Sequence, residues 1–464
     1  MNKIKAFFKN EFYFKIAYIL VMIISVVQFI DVAYDPLMIG ILLWGLFLLF
    51  DFVFLEKSFV IAENIWGLAF MAVYGISILV NLKNLQIREL PVILSTCIHL
   101  FLLARVKKGK NSDDIQKEIY FIARIISFCM FVFSFIALFM FVAKFSYQIN
   151  HNLVGIFLRS NSILQVRGIF NTQISTGLYC VIGVMCNIYI LSYQCKVKTQ
   201  CIKRVMLFAC ISLLVTFLYL VLANVLTAYL IFLAFFAVIC FFFYRESLKK
   251  TKAAAYKVLH FVLPILLMAI SCVLLFSCMK QLRTTMIKIF YGNAESLVLQ
   301  TSAIDAIDIN PENFTDRNMM SSIMNGSSGR FEIWKAMLQS MDLKEIAFGR
   351  LYKNISIAVH FGSGITIKYL YLCNGFLTIF VSIGIGGLLL AVAFIVKELW
   401  SYFWQILKKE NKTLLFLFAS LLAFMLYNFS MSSLLLARDI VTILICIYFG
   451  YSRRILDDVT GKNI

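Results

Sequence analysis

The chain has 464 residues, 62% apolar and only 14% charged, with a formal net charge of +19. Soluble domains run to about 45–50% apolar and about 25% charged residues, so a soluble fold of this composition could not cover its own apolar surface, whereas a bilayer would solvate it. Continuous apolar runs of roughly 20 residues also exclude a transmembrane β-barrel, whose segments are short and alternating.

The N-terminal residues Met1 to Lys15 are basic and lead into an apolar stretch with no small-residue cleavage site after it. This predicts a retained first helix rather than a signal peptide. Apolar runs then predict twelve spans, over 13–31, 37–55, 59–80, 90–104, 119–143, 173–194, 205–222, 226–244, 258–279, 368–396, 414–432 and 438–451. The fold class expected is all-α: a polytopic transmembrane bundle with one large loop containing short helices. Helices one to nine occupy 1–279, the loop 280–367, and helices ten to twelve with a tail 368–464. The pair within 205–244 reads as a tight hairpin around Asn224.

The basic residues cluster between the apolar runs, where they set topology; nucleic acid is not the expected partner. In the twelve-span arrangement one side holds 26 Lys and Arg. The other holds 6 outside the long loop and 10 within it. Discounting the long loop, both termini are expected to be cytoplasmic, with 144–172 and 280–367 facing outward. The 12 cysteines lie in or beside apolar runs and imply no disulfide framework. The four histidines are too scattered for a zinc pattern. Few charges fall within the spans, Glu63 and Arg124 among them near span ends and little at mid-span, which disfavours a polar path of the kind a flippase or transporter needs.

Within the long loop, 301–328 is polar, with turn signals at Asn310-Pro311 and Asn325-Gly326. An amphipathic helix follows, with Phe331, Trp334, Met337, Leu338 and Met341 on one face and Ser327 or Ser328 as its cap. It either lies at the membrane interface or packs over the bundle.

Three stations on the outward side carry possible chemistry. The first is Arg167, Gly168, Phe170 and Asn171, ahead of the sixth span. The Arg167 guanidinium fits a phosphate or a lipid headgroup, or serves as a topology charge, and Gly168 permits close backbone approach. The second is Arg330 with Trp334 one turn later. An arginine where a helix starts is unfavourable unless it answers a negative charge, either an external anion or Glu332. The third comprises His360, a proton acceptor at neutral pH or a solvated loop residue, then Asn374, Leu377 and Gly384. Gly384, Gly386 and Gly387 suit close helix packing.

In order and spacing these stations resemble the bacterial O-antigen ligase and polysaccharide polymerase superfamily. That family has an Arg-Gly-x-Phe-type station, an Arg-x-x-x-Trp station in a large outward loop, a mid-loop glycine matched by Gly349, and His-Asn-x-x-Leu with a glycine seven residues later. Here Asn374, Leu377 and Gly384 keep the last spacing, but Cys373 stands where the family has histidine. The resemblance implies a metal-independent glycosyltransferase with no cofactor, acting on undecaprenyl-pyrophosphate-linked glycan at the outer face of the cytoplasmic membrane. The absence of an Asp-x-Asp loop and of a Gly-rich nucleotide fingerprint agrees.

On that reading Arg167 and Arg330 hold the pyrophosphate. His360, or Glu332, takes the acceptor proton. Gly168, Phe170, Asn171, Trp334, Asn374, Leu377 and Gly384 support the site. A repeat-unit polymerase for capsule, exopolysaccharide or O-antigen is the expected member, with ligase-type transfer or a lipid-linked oligosaccharide flippase as alternatives. A flippase and a chain-length regulator are further candidate partners, besides membrane lipids.

Overall fold

The computed structural model describes residues 6–28, 31–55, 61–107, 109–149, 152–159, 163–194, 202–250, 259–291, 330–360, 366–369, 372–408, 411–431 and 434–460. It is a helical bundle. The long helices, in order, are α1 (Glu11–Ser25), α2 (Asp31–Phe50), α3 (Ile61–Val80), α4 (Leu90–Ile98, continued as a π turn to Leu103), α5 (Ser112–Val142), α6 (Gln173–Gln194), α7 (Ile202–Ala223), α8 (Leu226–Lys250) and α9 (Leu259–Tyr291). After them come α10 (Arg330–Gln339), α11 (Leu343–Phe348), α12 (Gly375–Ile383), α13 (Ile385–Lys408), α14 (Lys412–Asn428) and α15 (Ile440–Thr460).

Among the described residues seven helices are long and apolar enough to cross a membrane, namely α2, α5 to α9 and α13. Large aliphatic side chains such as Leu43, Leu214, Val273 and Leu389 are exposed on them, which suits lipid rather than water outside. The chain is therefore a membrane protein. At the centre, α6 is the most enclosed of these seven, with 78% of its apolar window buried. Its buried Asn187 accepts from Ser127 of α5 at 2.6 Å and donates to Ser212 of α7 at 3.0 Å, so a small polar relay ties three apolar helices together.

Several expected boundaries shift. The first helix stops at Ser25, because the next residues leave to pair with another segment: Val27 bridges Phe170, and Gln28 N donates to the Ile169 carbonyl at 3.0 Å. Helix α9 runs on to Tyr291, so the first twelve residues of the expected loop are helical. The tight hairpin holds, with α7 and α8 joined through Asn224 at φ +49°.

The all-α expectation misses two small sheets. Strands β1 (Ser146–Ile149), β2 (Asn152–Arg159) and β3 (Ile163–Gly168) form an antiparallel meander, and β4 (Ile357–His360) pairs antiparallel with β5 (Thr366–Tyr369). These short segments give the connecting chain hydrogen-bond partners that a bare loop would lack.

The expected tenth span, 368–396, is two helices and part of a strand. Gly384, at φ +89° and ψ −176°, breaks α12 from α13. A second irregular stretch, Leu434–Ala437 between α14 and α15, is non-helical yet buried. Leu435 takes φ +52° there, and its carbonyl accepts from His99 Nδ1 at 3.0 Å. The other ring nitrogen of His99 faces Tyr18 Oη at 3.1 Å.

Candidate functional site

The ends of α3, α12, α13 and α15, with the start of α4, converge under the segment that follows α10. Glu89, immediately before α4, is its anchor. The carboxylate is buried and accepts Tyr74 Oη at 2.5 Å, Tyr352 N at 3.0 Å and Lys353 N at 2.9 Å. Hydrogen bonds to an ionised acceptor are about twice as strong as neutral ones, so one side chain fixes residues 352–353 to the bundle. Around it lie Lys353, Arg438, Arg88 and Asp439. Burial holds the Lys353 ammonium below its ordinary value, Arg438 and Arg88 push it the same way, and Glu89 opposes them. Burial raises the Tyr352 hydroxyl, with Asp439 adding and Arg438 opposing.

The break at Gly384 creates acceptors. Carbonyls of Val381 and Ser382, which a continuous helix would use internally, take Arg350 N at 2.7 Å and Leu351 N at 3.0 Å. Asn81 Nδ2 donates to Gly349 O at 3.1 Å from the end of α3. Asp342 caps α11 and forms a capping box with Glu345, which also pairs with Arg350 at 2.6 Å.

Helix α10 packs over the bundle through Ile333 and Met337, joined by Met341 just after it, against Ile355, Leu372 and Val381. Its buried face differs from the expected one, since Phe331 and Leu338 are exposed. Trp334 closes one edge, its Nε1 donating to Leu372 O at 2.7 Å. Leu377 and Phe380 of α12 pack against the same cluster.

This docking brings the second and third stations together. Burial pushes the Cys373 thiol up, and the nearby Arg330 guanidinium opposes it. Arg330 is half-buried at the start of α10. Asn374 caps α12, its Oδ1 accepting Leu377 N at 3.0 Å, which leaves the N–H groups of Gly375 and Phe376 at the helix start. A cation beside a helix N-terminus is an anion-binding arrangement. Glu332 is exposed, off the buried face of α10. His360 ends β4, paired with Thr366, and β4 packs against α10. The His360 side chain and residues 301–329, with the expected turns and caps, lie outside the described residues.

The first station is built from other elements. The Arg167 carbonyl accepts Tyr219 Oη at 2.6 Å and Thr176 Oγ1 at 3.2 Å. Gly168 sits at φ +60°, and a Cβ there would meet Ala137 Cβ at 2.5 Å and Tyr219 Oη at 2.6 Å, so its close approach is to helices α5 and α7. Phe170 is fully buried among Phe133, Tyr179 and Tyr219. Asn171 N donates to Val26 O at 2.9 Å. Gly168, Phe170 and Asn171 thus pin β3 to the bundle.

Several residues of the convergence carry no signal in the sequence analysis, among them Glu89, Tyr352, Lys353 and Arg438. A carboxylate followed by Leu90-Pro91 is a helix-start signature, and it was open to reading at Glu89. Tyr352 and Lys353 carry no pattern, and Arg438 looks like any topology charge. Compared with protein-family models and with curated proteins, the chain matches none.

Proposed function

We propose that the chain is a polysaccharide repeat-unit polymerase of the O-antigen ligase and polymerase type. It is a metal-independent membrane glycosyltransferase that moves a growing glycan from undecaprenyl pyrophosphate to another lipid-linked repeat unit. In this reading α1 to α9, the α12–α13 pair, α14 and α15 make twelve crossings of the cytoplasmic membrane. Both termini are then cytoplasmic, and the segment holding α10 and α11 faces outward. The observation that supports it most is the docking of Arg330 and Trp334 onto the start of α12 beside Cys373 and Asn374. Two motif stations far apart in sequence meet where a helix N-terminus and a cation can receive a phosphate.

The acceptor hydroxyl oxygen attacks the anomeric carbon of the donor glycan. The bond from that carbon to the pyrophosphate oxygen breaks, and the electron pair leaves with the pyrophosphate. Arg330, the first N–H groups of α12 and Arg167 offset the developing charge. The hydroxyl proton passes to His360 or Glu332. The lipid tails lie along exposed apolar helix faces.

The test is reconstitution with a lipid-linked repeat unit and gel analysis. A ladder is expected. Arg330→Ala and Arg167→Ala should each cut elongation by roughly 100- to 1000-fold without lowering membrane abundance, and lysine should rescue poorly because it lacks the bidentate fork. A single adduct would indicate ligase-type transfer, and no product from the wild type, or full product from both alanine variants, would end the proposal. Reporter fusions after Lys110, Asn325 and Ile464 check sidedness: only the Asn325 fusion should report from outside.

A further inference from the structure

Helix α13 fixes where the bilayer lies against this fold. Its exposed side chains Ile385, Leu389, Val392, Val396, Trp400 and Trp404 recur at helical spacing along one face. From Ile385 to Trp404 is nineteen residues, roughly 28 Å at 1.5 Å per residue, close to the roughly 30 Å of a hydrocarbon core. Tryptophans gather at the boundaries of that core, so Trp400 and Trp404 mark one edge of the lipid and Ile385 the other. The residue before Ile385 is Gly384, and a Cβ there would lie 2.2 Å from the Ala347 carbonyl oxygen and 2.7 Å from Phe348 N. Helix α11 therefore sits at the lipid boundary itself.

The free side of α11 fits that place. Leu343, Ile346 and Ala347 stand at i, i+3 and i+4, and all three are exposed, Leu343 at 85%. Glu345 lies on the opposite side, paired with Arg350 beside Asn81, Asn84 and Asn354 in a polar hollow. The helix is thus amphipathic despite its shortness. Helix α3, which also packs against α11, carries apolar surface up to the same level: Ile76, Leu79 and Leu82 are exposed at i, i+3 and i+6. The apolar side of α11 continues the lipid-facing columns of α3 and α13 around the end of the bundle. Water would leave this contiguous aliphatic surface uncovered, whereas the leaflet beside it covers it.

We propose that α11 is an interfacial anchor, with Leu343, Ile346 and Ala347 immersed among the acyl chains of the leaflet at this end and Lys344 reaching the lipid phosphates. Lys344 is exposed and adjoins Leu343, and a lysine stem can lie along apolar surface while its ammonium stays at the headgroups. The close approach of Gly349 to Ser382 then passes this hold on to residues 350–353, which Glu89 grips from the bundle side. The proposal does not depend on glycan transfer, nor on which leaflet is the outer one.

Full-length protein in phosphatidylcholine nanodiscs tests this, with a small environment-sensitive fluorescent amino acid placed by stop-codon suppression at Leu343, at lipid-facing Leu389 or at Lys335, which is exposed on α10. Matched discs carry lipid brominated in the upper acyl chain, within roughly 10 Å of the boundary where interfacial helices lie. Bromine should quench the probe at Leu343 by about half or more, in the range seen at Leu389, and hardly at Lys335. Emission from the Leu343 position should also be blue-shifted relative to Lys335. If the Leu343 variant loses its thermal transition, Ile346, on the same face, takes the probe instead. Quenching at Leu343 no greater than at Lys335 overturns the proposal. Blue-shifted emission without quenching overturns it too, and assigns the face to a protein cover, either another part of this chain or a second copy.

Discussion

Gly349 and Gly384 each occupy the space where the other's segment would need a side chain to be absent. A Cβ on Gly349 would overlap the Ser382 carbonyl, and one on Gly384 would overlap the Ala347 carbonyl. Both sit in a backbone region almost reserved for glycine, at φ +74°, ψ −177° and φ +89°, ψ −176°. The clasp between them is what lets the end of α11 lie directly on the break between α12 and α13.

Substituting either glycine by alanine should therefore loosen this docking. Backbone strain alone costs on the order of 1–3 kcal/mol, and the overlap adds to it. Thermal unfolding and limited proteolysis between α10 and α12 are the measurements. Wild-type melting and cleavage in both variants would show that the clasp does not hold the segment.

Glu89→Gln keeps the shape but removes the charge that Tyr74, Tyr352 N and Lys353 N all address. A loss of about 1–3 kcal/mol is expected. Glu89→Ala should cost more, because it leaves two backbone N–H groups without their acceptor. The midpoint of chemical denaturation ranks the three proteins, and a Gln variant as stable as the wild type would contradict the anchoring role.

Cys373 reports on Arg330. Thiols react as thiolates, and the Cys373 thiol is raised above its ordinary 9.0 by burial, with Arg330 opposing. Removing Arg330 should raise it further, so alkylation of Cys373 at pH 8.5 should slow in Arg330→Ala and recover in Arg330→Lys. Rates read against a Cys373→Ser control isolate this thiol. Equal rates in wild type and Arg330→Ala would separate the two stations and remove the main support for the proposed site.

If His360 accepts the acceptor proton, elongation should fall as pH drops through about 6.5, the ordinary imidazole value. His360→Gln should lose turnover while keeping donor binding. Cys373→His in that background should restore part of it, as β4, α10 and Cys373 are neighbours. Normal elongation by His360→Gln would leave Glu332 as the base.

Most of the bundle was legible because length and apolarity are local properties of a run: the turn at Asn224 and the paired helices α7 and α8 fell where the residues put them. What stayed hidden depends on partners distant in sequence. Nothing near Ile163–Gly168 announces a strand; it becomes one by pairing with β2, and Phe170 just after it bridges Val27. The apolar face of α10 was misjudged for a related reason. Phe331 and Ile333 are equally apolar, and only the position of Leu372 and Val381 decides which is buried. Gly384 suits close helix packing, and its neighbour is the end of the short helix α11, at Ala347 and Phe348.

The buried stretch from Leu434 to Leu436 has a consequence for substitution. Its leucines stand at 1%, 8% and 1% exposure beside the charged group to which Arg438 belongs. A polar side chain at Leu435 would be stripped of its hydration there, at a cost of about 1–3 kcal/mol if left unpaired.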